Sequence, residues 1–296
     1  MTPGARFREL LAEPGIVVAP GAYDAITARV IARHGFPAVY MTGAGTVNAH
    51  LGIPDIALGT LTEFVENAAR MTSVLDVPLI CDADTGFGNA LNVVRTVQEF
   101  ERAGVAGVHI EDQESPKRCG HLDGKRIVAV EEMEGKIRAA CEARRDPDFV
   151  VIARVDAAAV EGVEAAIERA NRYAAAGADV IFAEALTSAD EFGRFGSVEM
   201  IGPTGQRVPL MANMTEFGKT PYLTAAQFED LGFDVVIFPM MAFRVMLGAV
   251  DAAMGELSSK GTQAGMLDRM KTRAELYDLI DYDRWTEAET RWVTDL

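Results

Sequence analysis

The run Pro116-Lys117-Arg118-Cys119-Gly120-His121-Leu122-Asp123-Gly124-Lys125 gathers a thiol, an imidazole and several cations within a few residues. Basic neighbours lower a thiol's pKa, so Cys119 is suited to give or take a proton near neutrality. The alternative is an incidental surface thiol. The other two cysteines make a contrast. Cys81 lies inside an apolar run and Cys141 shares a helical face with Met133 and Ile137, so both read as core filler, and no CxxC or disulfide framework is present.

A second chemistry is written in carboxylates. Asp82-Ala83-Asp84-Thr85-Gly86-Phe87-Gly88 and His109-Ile110-Glu111-Asp112-Gln113 each follow or close an apolar run, and Asp55 stands in an earlier connection. Asp55, Asp82, Asp84 and Glu111 repel one another unless a counter-charge joins them. A hard cation with oxygen ligands resolves this, and Mg²⁺ (with Mn²⁺ second) fits because it keeps waters and needs only one or two direct carboxylates. No HExxH or Cys/His cluster suggests zinc. The competing reading pairs the acids with Arg154 or Arg118 and holds no metal. Gly43-Ala44-Gly45 and Gly86-Phe87-Gly88 are weak phosphate-loop signals, and His34 and His50 read as a helix end and a loop residue.

Such groups need a rigid frame. Eight short apolar runs recur at 15–19, 38–42, 77–82, 107–110, 149–153, 180–183, 208–212 and 235–239. They are continuous, not alternating, as expected of parallel strands covered on both faces. Helical patterns intervene at 23–34, 61–74, 90–103, 131–145, 162–176 and 224–231, and Gly35, Gly104, Gly177 and Gly232 close four of them as C′ residues. Eight βα units without a composition break predict one α/β domain over 1–296, a (β/α)₈ TIM barrel. Barrel chemistry sits at the C-terminal ends of strands, and there the runs end on polar residues, including Thr42, Asp84, Glu111, Arg154, Glu184 and Asn213 with Thr215. The connection holding Cys119 is about 18 residues, far beyond the usual 2–6, and reads as a lid with Gly120 and Gly124 as hinges. Residues 242–296 exceed one closing helix, carry a helical pattern at 266–279 and two tryptophans, and are expected to pack on the barrel or a neighbouring subunit.

The chain has 296 residues, 49% of them hydrophobic, and a net charge of −16, which argues against a nucleic-acid partner. An anionic small substrate stays compatible, since a metal or a few local cations reverse the sign inside a pocket. No apolar run is long enough to span a bilayer, so no membrane role is expected, and the first 13 residues lack an apolar signal core, which points to the cytoplasm.

With these motifs in order, the chain resembles the isocitrate lyase / phosphoenolpyruvate mutase superfamily, most of all its 2-methylisocitrate lyase-like branch. The resemblance runs from Pro20-Gly21-Ala22-Tyr23-Asp24 through Asn213-Met214-Thr215-Glu216-Phe217-Gly218 to Met270–Tyr277. It implies retro-aldol (Claisen-type) cleavage of a 2-hydroxy di- or tricarboxylate by a Mg²⁺-dependent lyase. Asp82 and Asp84, with Asp55 and Glu111 through water, would support the metal. Tyr40 would be the base for the substrate hydroxyl, and Cys119 would protonate the carbanion of the departing fragment. Thr42, Gly43 and Ala44 match the oxo-acid cradle; Gly120, His121, Arg154, Asn213 and Thr215 match carboxylate-binding positions that Glu184 orients. The resemblance further implies a homotetramer, a dimer of dimers in which a C-terminal helix swaps between subunits. Dimethylmalate lyases, oxaloacetate decarboxylases and phosphonomutases share the superfamily, and a non-catalytic acid-binding barrel is the reading from another class. Val155, Ala183, Met241 and the Thr42-Gly43-Ala44 run depart from the 2-methylisocitrate lyase pattern and suggest a more apolar pocket.

Overall fold

The computed structural model describes residues 1–120 and 124–294. Eight strands, β1 (Val17–Ala22), β2 (Val39–Met41), β3 (Leu79–Asp82), β4 (Gly107–Glu111), β5 (Val150–Val155), β6 (Val180–Ala183), β7 (Leu210–Asn213) and β8 (Val235–Phe238), pair in parallel in sequence order. β8 returns to β1 through Val17↔Val235 and closes the (β/α)₈ barrel. Closure removes both sheet edges.

Strand alternation sorts the apolar residues into two cores. Outward side chains such as Met41, Cys81, Val108, Val155 and Ala183 pack with the surrounding helices. Inward ones, among them Ile80, Ile152, Phe182, Met211 and Ile237, form a second cluster inside the barrel. The first helix, α1 (Pro3–Ala12), carries Phe7 and Leu10 into that inner cluster and so plugs the N-terminal floor. Polar groups replace apolar ones only in the uppermost inward layer.

The helices are α2 (Ala25–Arg33), α3 (Gly43–Leu51), α4 (Leu61–Thr72), α5 (Ala90–Arg102), α6 (Val130–Ala143), α7 (Ala158–Glu161), α8 (Val163–Ala175), α9 (Ala189–Gly196) and α10 (Ala225–Asp230). Local chemistry sets their ends. Thr60 and Glu63 form a reciprocal capping box on α4, and Gly104 follows α5 at φ +80°, a conformation costly to a residue with a Cβ.

Residues 1–241 form one compact unit and residues 242–296 a second. In the second lie α11 (Met241–Lys260, its first residue excepted), α12 (Arg273–Leu279) and α13 (Tyr282–Thr294). The helical pattern expected over 266–279 is two pieces, a 3₁₀ turn at Ala264–Arg269 and α12. Extended Met270 ends the first, and Thr272, boxed with Glu275, starts the second. On α11, Leu247, Val250, Met254 and Leu257 recur at three- and four-residue spacing and are 43–55% exposed; Trp285 and Trp292 are exposed as well. Among the described residues, no helix is long and apolar enough to cross a membrane.

Candidate active site

The upper inward layer takes one or two polar side chains from each of six strands or the residue just past them. Tyr40 comes from β2, Asp82 from β3, His109 and Glu111 from β4, Arg154 from β5, Glu184 from the end of β6 and Asn213 from β7. All are at least nine-tenths buried. The barrel register sets Asp82 beside His109 and Glu111 beside Arg154.

One wall is acidic. Asp82 Oδ1 accepts the Asp84 N–H at 2.9 Å, and Asp84 holds φ +46°, a left-handed conformation unusual for a residue with a Cβ. The Lys117 ammonium lies 2.6 and 2.7 Å from the two Asp55 oxygens and 3.0 Å from Asp84 Oδ1. Lys117, read in the sequence as a cation beside the thiol, is therefore spent on the acids. Glu111 stands 3.0 Å from Arg154 Nη1, yet neither of its oxygens accepts a directed hydrogen bond among the described residues. Burial drives the Glu111 carboxyl well above the carboxylate range, against the pull of Arg154. Burial, with Asp82 and Asp55 adding to it, pushes Asp84 up to about 7 even with Lys117 in contact. The protein's own cations thus do not fully neutralise this wall.

That deficit is the test of a metal. Among the described residues, no three acidic, His or Cys side chains form a ready-made cage. Mg²⁺ does not require one, because it needs one or two carboxylates and keeps several waters. Asp82, whose carboxyl is held below its usual range against burial by His109, Lys117 and Arg154, and Asp84, two residues on and pushed up by burial, fit that donor set. Asp55 is engaged by Lys117 on both oxygens and Glu111 is paired with Arg154, so these two fit a supporting place behind the metal better than a direct one.

The opposite wall is built around Arg154. Arg154 stacks its guanidinium 5.5 Å above the Phe182 ring and is aimed by Asp156, which accepts Nε at 2.9 Å and Nη2 at 3.1 Å. Asn213 Nδ2 donates to both Glu184 oxygens at 3.2 and 3.3 Å, and Thr215 is buried just beyond β7. Residues 112–129 form the long connection after β4, and its two ends pair through a Gln113↔Ile127 bridge. At Gly120 the chain lies against this wall: a methyl group placed there would overlap Glu184 and Arg154. Glycine there lets the backbone touch Arg154 and Glu184, and Cys119, partly buried and outside any disulfide, precedes it. His121 lies outside the described residues.

Between the walls, Tyr40 Oη and His109 Nε2 are 2.8 Å apart. Burial, reinforced by Asp82, pushes the Tyr40 phenol well above its ordinary range, and burial pulls His109 down to about 4 despite the Asp82 charge. Both groups are neutral at neutral pH. The Thr42-Gly43-Ala44 run, read as a loop, is the start of α3: Thr42 is its N-cap, accepting the Gly45 N–H at 3.2 Å, and a methyl group on Gly43 would overlap Asp82. The first N–H groups of a helix lack intrahelical partners and favour anions, and this turn lies against the Asp82 carboxylate.

Four contributors were not singled out from the sequence as site residues: His109, Lys117, Lys125 and Asp156. His109 had a signal, sharing the inward face of β4 with Glu111. Asp156 reads in the sequence as a strand-end acid, but nothing there pairs it with Lys125, which the fold brings to 2.8 Å from it. Three departures do not form the pocket. Val155 and Ala183 face the outer core, and Met241 is 47% exposed at the start of α11; Met240 is the residue that receives the Thr42 hydroxyl on its sulfur at 3.4 Å.

The phosphoenolpyruvate phosphomutase family model matches residues 7–258. A 2-methylisocitrate lyase of Aeropyrum pernix is 50% identical over 287 residues, covering 97% of this chain and 90% of its own. The 2,3-dimethylmalate lyase of Eubacterium barkeri is 46% identical over 294 residues, 99% of each chain. A phosphonopyruvate hydrolase solved with oxalate and Mg²⁺ superposes with a TM-score of 0.88 at 31% identity, covering 99% of this chain and 100% of that one. The chain belongs to the phosphoenolpyruvate phosphomutase family. It is an enzyme, and within that family a carbon–carbon lyase.

Proposed function

We propose that the chain cleaves a 2-hydroxy tricarboxylate of the 2-methylisocitrate type to pyruvate and succinate, with Mg²⁺ as cofactor and Mn²⁺ as a substitute. One observation carries the reading: Gly120 lies against Arg154 and Glu184, so Cys119 is the next residue along the chain from the groups that would grip carboxylates. A phosphonomutase leaves no carbanion and has no need of a proton donor to a carbon acid at that place. The 43–50% identical lyases among the relatives support the substrate class.

Asp82 and Asp84 would hold the metal, whose chemistry is to polarise the hydroxy-acid oxygens and to neutralise the oxo-acid product. The N-terminal turn of α3 and Thr42 hold the carboxylate of the fragment that becomes pyruvate. Arg154, Gly120, Asn213 and Thr215 hold the carboxylates of the fragment that becomes succinate. Tyr40 takes the substrate hydroxyl proton as its own proton passes to His109 Nε2. The carbonyl forms, the C–C bond breaks, and its electron pair is delocalised into the adjoining carboxylate as an aci-carboxylate. Cys119 then delivers a proton to that carbon. Burial of the whole layer strengthens each of these electrostatic contacts and excludes water from the carbanion.

A coupled assay for pyruvate release with Mg²⁺ tests the reading across 2-methylisocitrate, isocitrate, 2,3-dimethylmalate, citramalate and oxaloacetate. Turnover of 2-methylisocitrate with succinate as co-product supports it. Preference for 2,3-dimethylmalate moves the substrate within the lyases, and turnover of oxaloacetate alone overturns the lyase mechanism.

A further inference from the structure

Asp156 is buried beneath Arg154 and carries more than that arginine. Four donor bonds converge on its carboxylate, three of them on one oxygen. Oδ2 accepts Arg154 Nε at 2.9 Å; Oδ1 accepts Arg154 Nη2 at 3.1 Å, Lys125 Nζ at 2.8 Å and Gln113 Nε2 at 3.2 Å. Lys125 and Gln113 each have a second task. Lys125 Nζ donates to the Gly120 carbonyl at 2.6 Å. Gln113 holds Arg118 from both sides of its backbone, donating to the carbonyl at 2.9 Å and accepting the N–H at 2.9 Å. Cys119 is the residue between those two anchored backbones.

Asp156 is in turn fixed from behind. Its N–H donates to Asp112 Oδ1 at 2.8 Å, and Asp112 Oδ2 accepts the Tyr173 hydroxyl at 2.9 Å. Gln113, Lys125 and Asp156 are at least nine-tenths buried, so water does not compete for these bonds.

We propose that Asp156 is a positioning residue that couples the thiol segment to the carboxylate-binding arginine: the carboxylate that aims Arg154 is also the anchor, through Lys125 and Gln113, that sets Cys119 over the site. Loosening the segment at Lys125 or Gln113 removes a donor from Asp156, and loosening Asp156 releases Arg154 and the segment together. The thiol and the anion grip are thus ordered as one unit. The catalytic meaning of this coupling rests on the lyase reading above; the coupling itself does not.

The test is therefore read first without substrate. Cys119 carboxamidomethylation by iodoacetamide is followed by mass spectrometry in the parent, Lys125→Met, Lys125→Arg, Asp156→Asn and the Lys125→Met/Asp156→Asn double variant, each checked for native circular dichroism. Cys81 is fully buried and burial holds Cys141 up at about 11, so the Cys119 peptide reports alone. Losing one charge-assisted hydrogen bond from the anchored form speeds alkylation by about 10- to 100-fold in Lys125→Met. Lys125→Arg restores most of the protection. Asp156→Asn, which touches the segment only through its neighbours, speeds alkylation likewise, and the double variant is no faster than the faster single one. In the pyruvate assay, displacement of the thiol lowers kcat of Lys125→Met by about 100-fold. The coupling is overturned if Lys125→Met alkylates at the parent's rate, or if the two single effects multiply in the double variant. Should Asp156→Asn not fold, Gln113→Leu takes its place in the same comparison. Altered alkylation in an enzyme that turns over none of the substrates supports the coupling and overturns the lyase reading alone.

Discussion

Tyr40 Oη and His109 Nε2 lie 2.8 Å apart, with their rings stacked at 15°. The pair sits between the acidic wall and the Arg154 wall and adds no net charge to either, because burial keeps both members neutral. A phenol so far from ionising serves as a base only if its proton has somewhere to go, and in the proposed mechanism that place would be His109, 2.8 Å away. Tyr40→Phe is expected to lower turnover by about 10²- to 10⁴-fold while leaving pyruvate binding, measured calorimetrically, near the parent value. Full turnover in that variant removes Tyr40 from the chemistry.

His109 also gives the stability a pH signature. Its folded pKa, about 4, lies below the ordinary 6.5. Between these values the unfolded chain binds the proton and the folded one does not. This contribution is present above about pH 6.5 and is lost as pH falls towards 4, amounting to roughly 3 kcal/mol at the limit. Urea unfolding from pH 7 to 4 should show a steeper loss in the parent than in His109→Gln. Parallel curves would mean that the imidazole takes up its proton in the native state.

Cys119→Ser keeps the shape of the segment and removes the acidity. Turnover is expected to fall by about 10²- to 10⁴-fold, with oxo-acid binding retained. Unchanged kcat would demote the thiol to a packing residue and remove the retro-aldol mechanism with it.

The acidic wall predicts a metal requirement. EDTA should abolish pyruvate release and Mg²⁺ should restore it, with Mn²⁺ as a substitute. Asp84→Asn removes a ligand and part of the charge that attracts the cation, so titration calorimetry with Mg²⁺ alone should show binding lost in that variant. Heat of binding equal to the parent's would move the metal away from Asp84.

Residues 242–296 carry the apolar stripe of α11 and the exposed Trp285 and Trp292. We propose that this unit joins subunits in a homotetramer. Light scattering after size exclusion should give four times the chain mass of 31.9 kDa, and Val250→Glu with Met254→Glu should give a smaller species. A monomeric parent would overturn the assembly.

The barrel was legible because burial on both faces leaves a continuous apolar run, and each of the eight runs became a strand. The polar ends of those runs were legible for the same reason: a single Arg154 or Glu184 closing an apolar strand has no place in the layers below it. What could not be read was pairing across the connections. Lys117 and Cys119 are neighbours in sequence, but the chain turns one ammonium to Asp55 and Asp84 and leaves the thiol beside Gly120. Asp156 looked like one more strand-end acid until Lys125 and Gln113 folded back on it. The start of α3 was missed because Gly43, Gly45 and Thr46 are weak helix formers, and the Thr42 cap outweighs them. Val155 and Ala183 were given to the pocket by proximity in sequence, although each neighbours an inward residue and alternation must turn it outward.

Phe7 and Leu10 make the barrel a vessel with a single mouth. A reaction that splits one molecule into two then acquires an order of exit, because both pieces leave by the way the substrate came in. In the proposed reaction, the piece held by Arg154 would lie nearest the segment that carries Cys119, and the piece at the start of α3 beside the acids. Product inhibition patterns would report that traffic: the fragment leaving last competes with substrate for the empty enzyme, and the fragment leaving first does not.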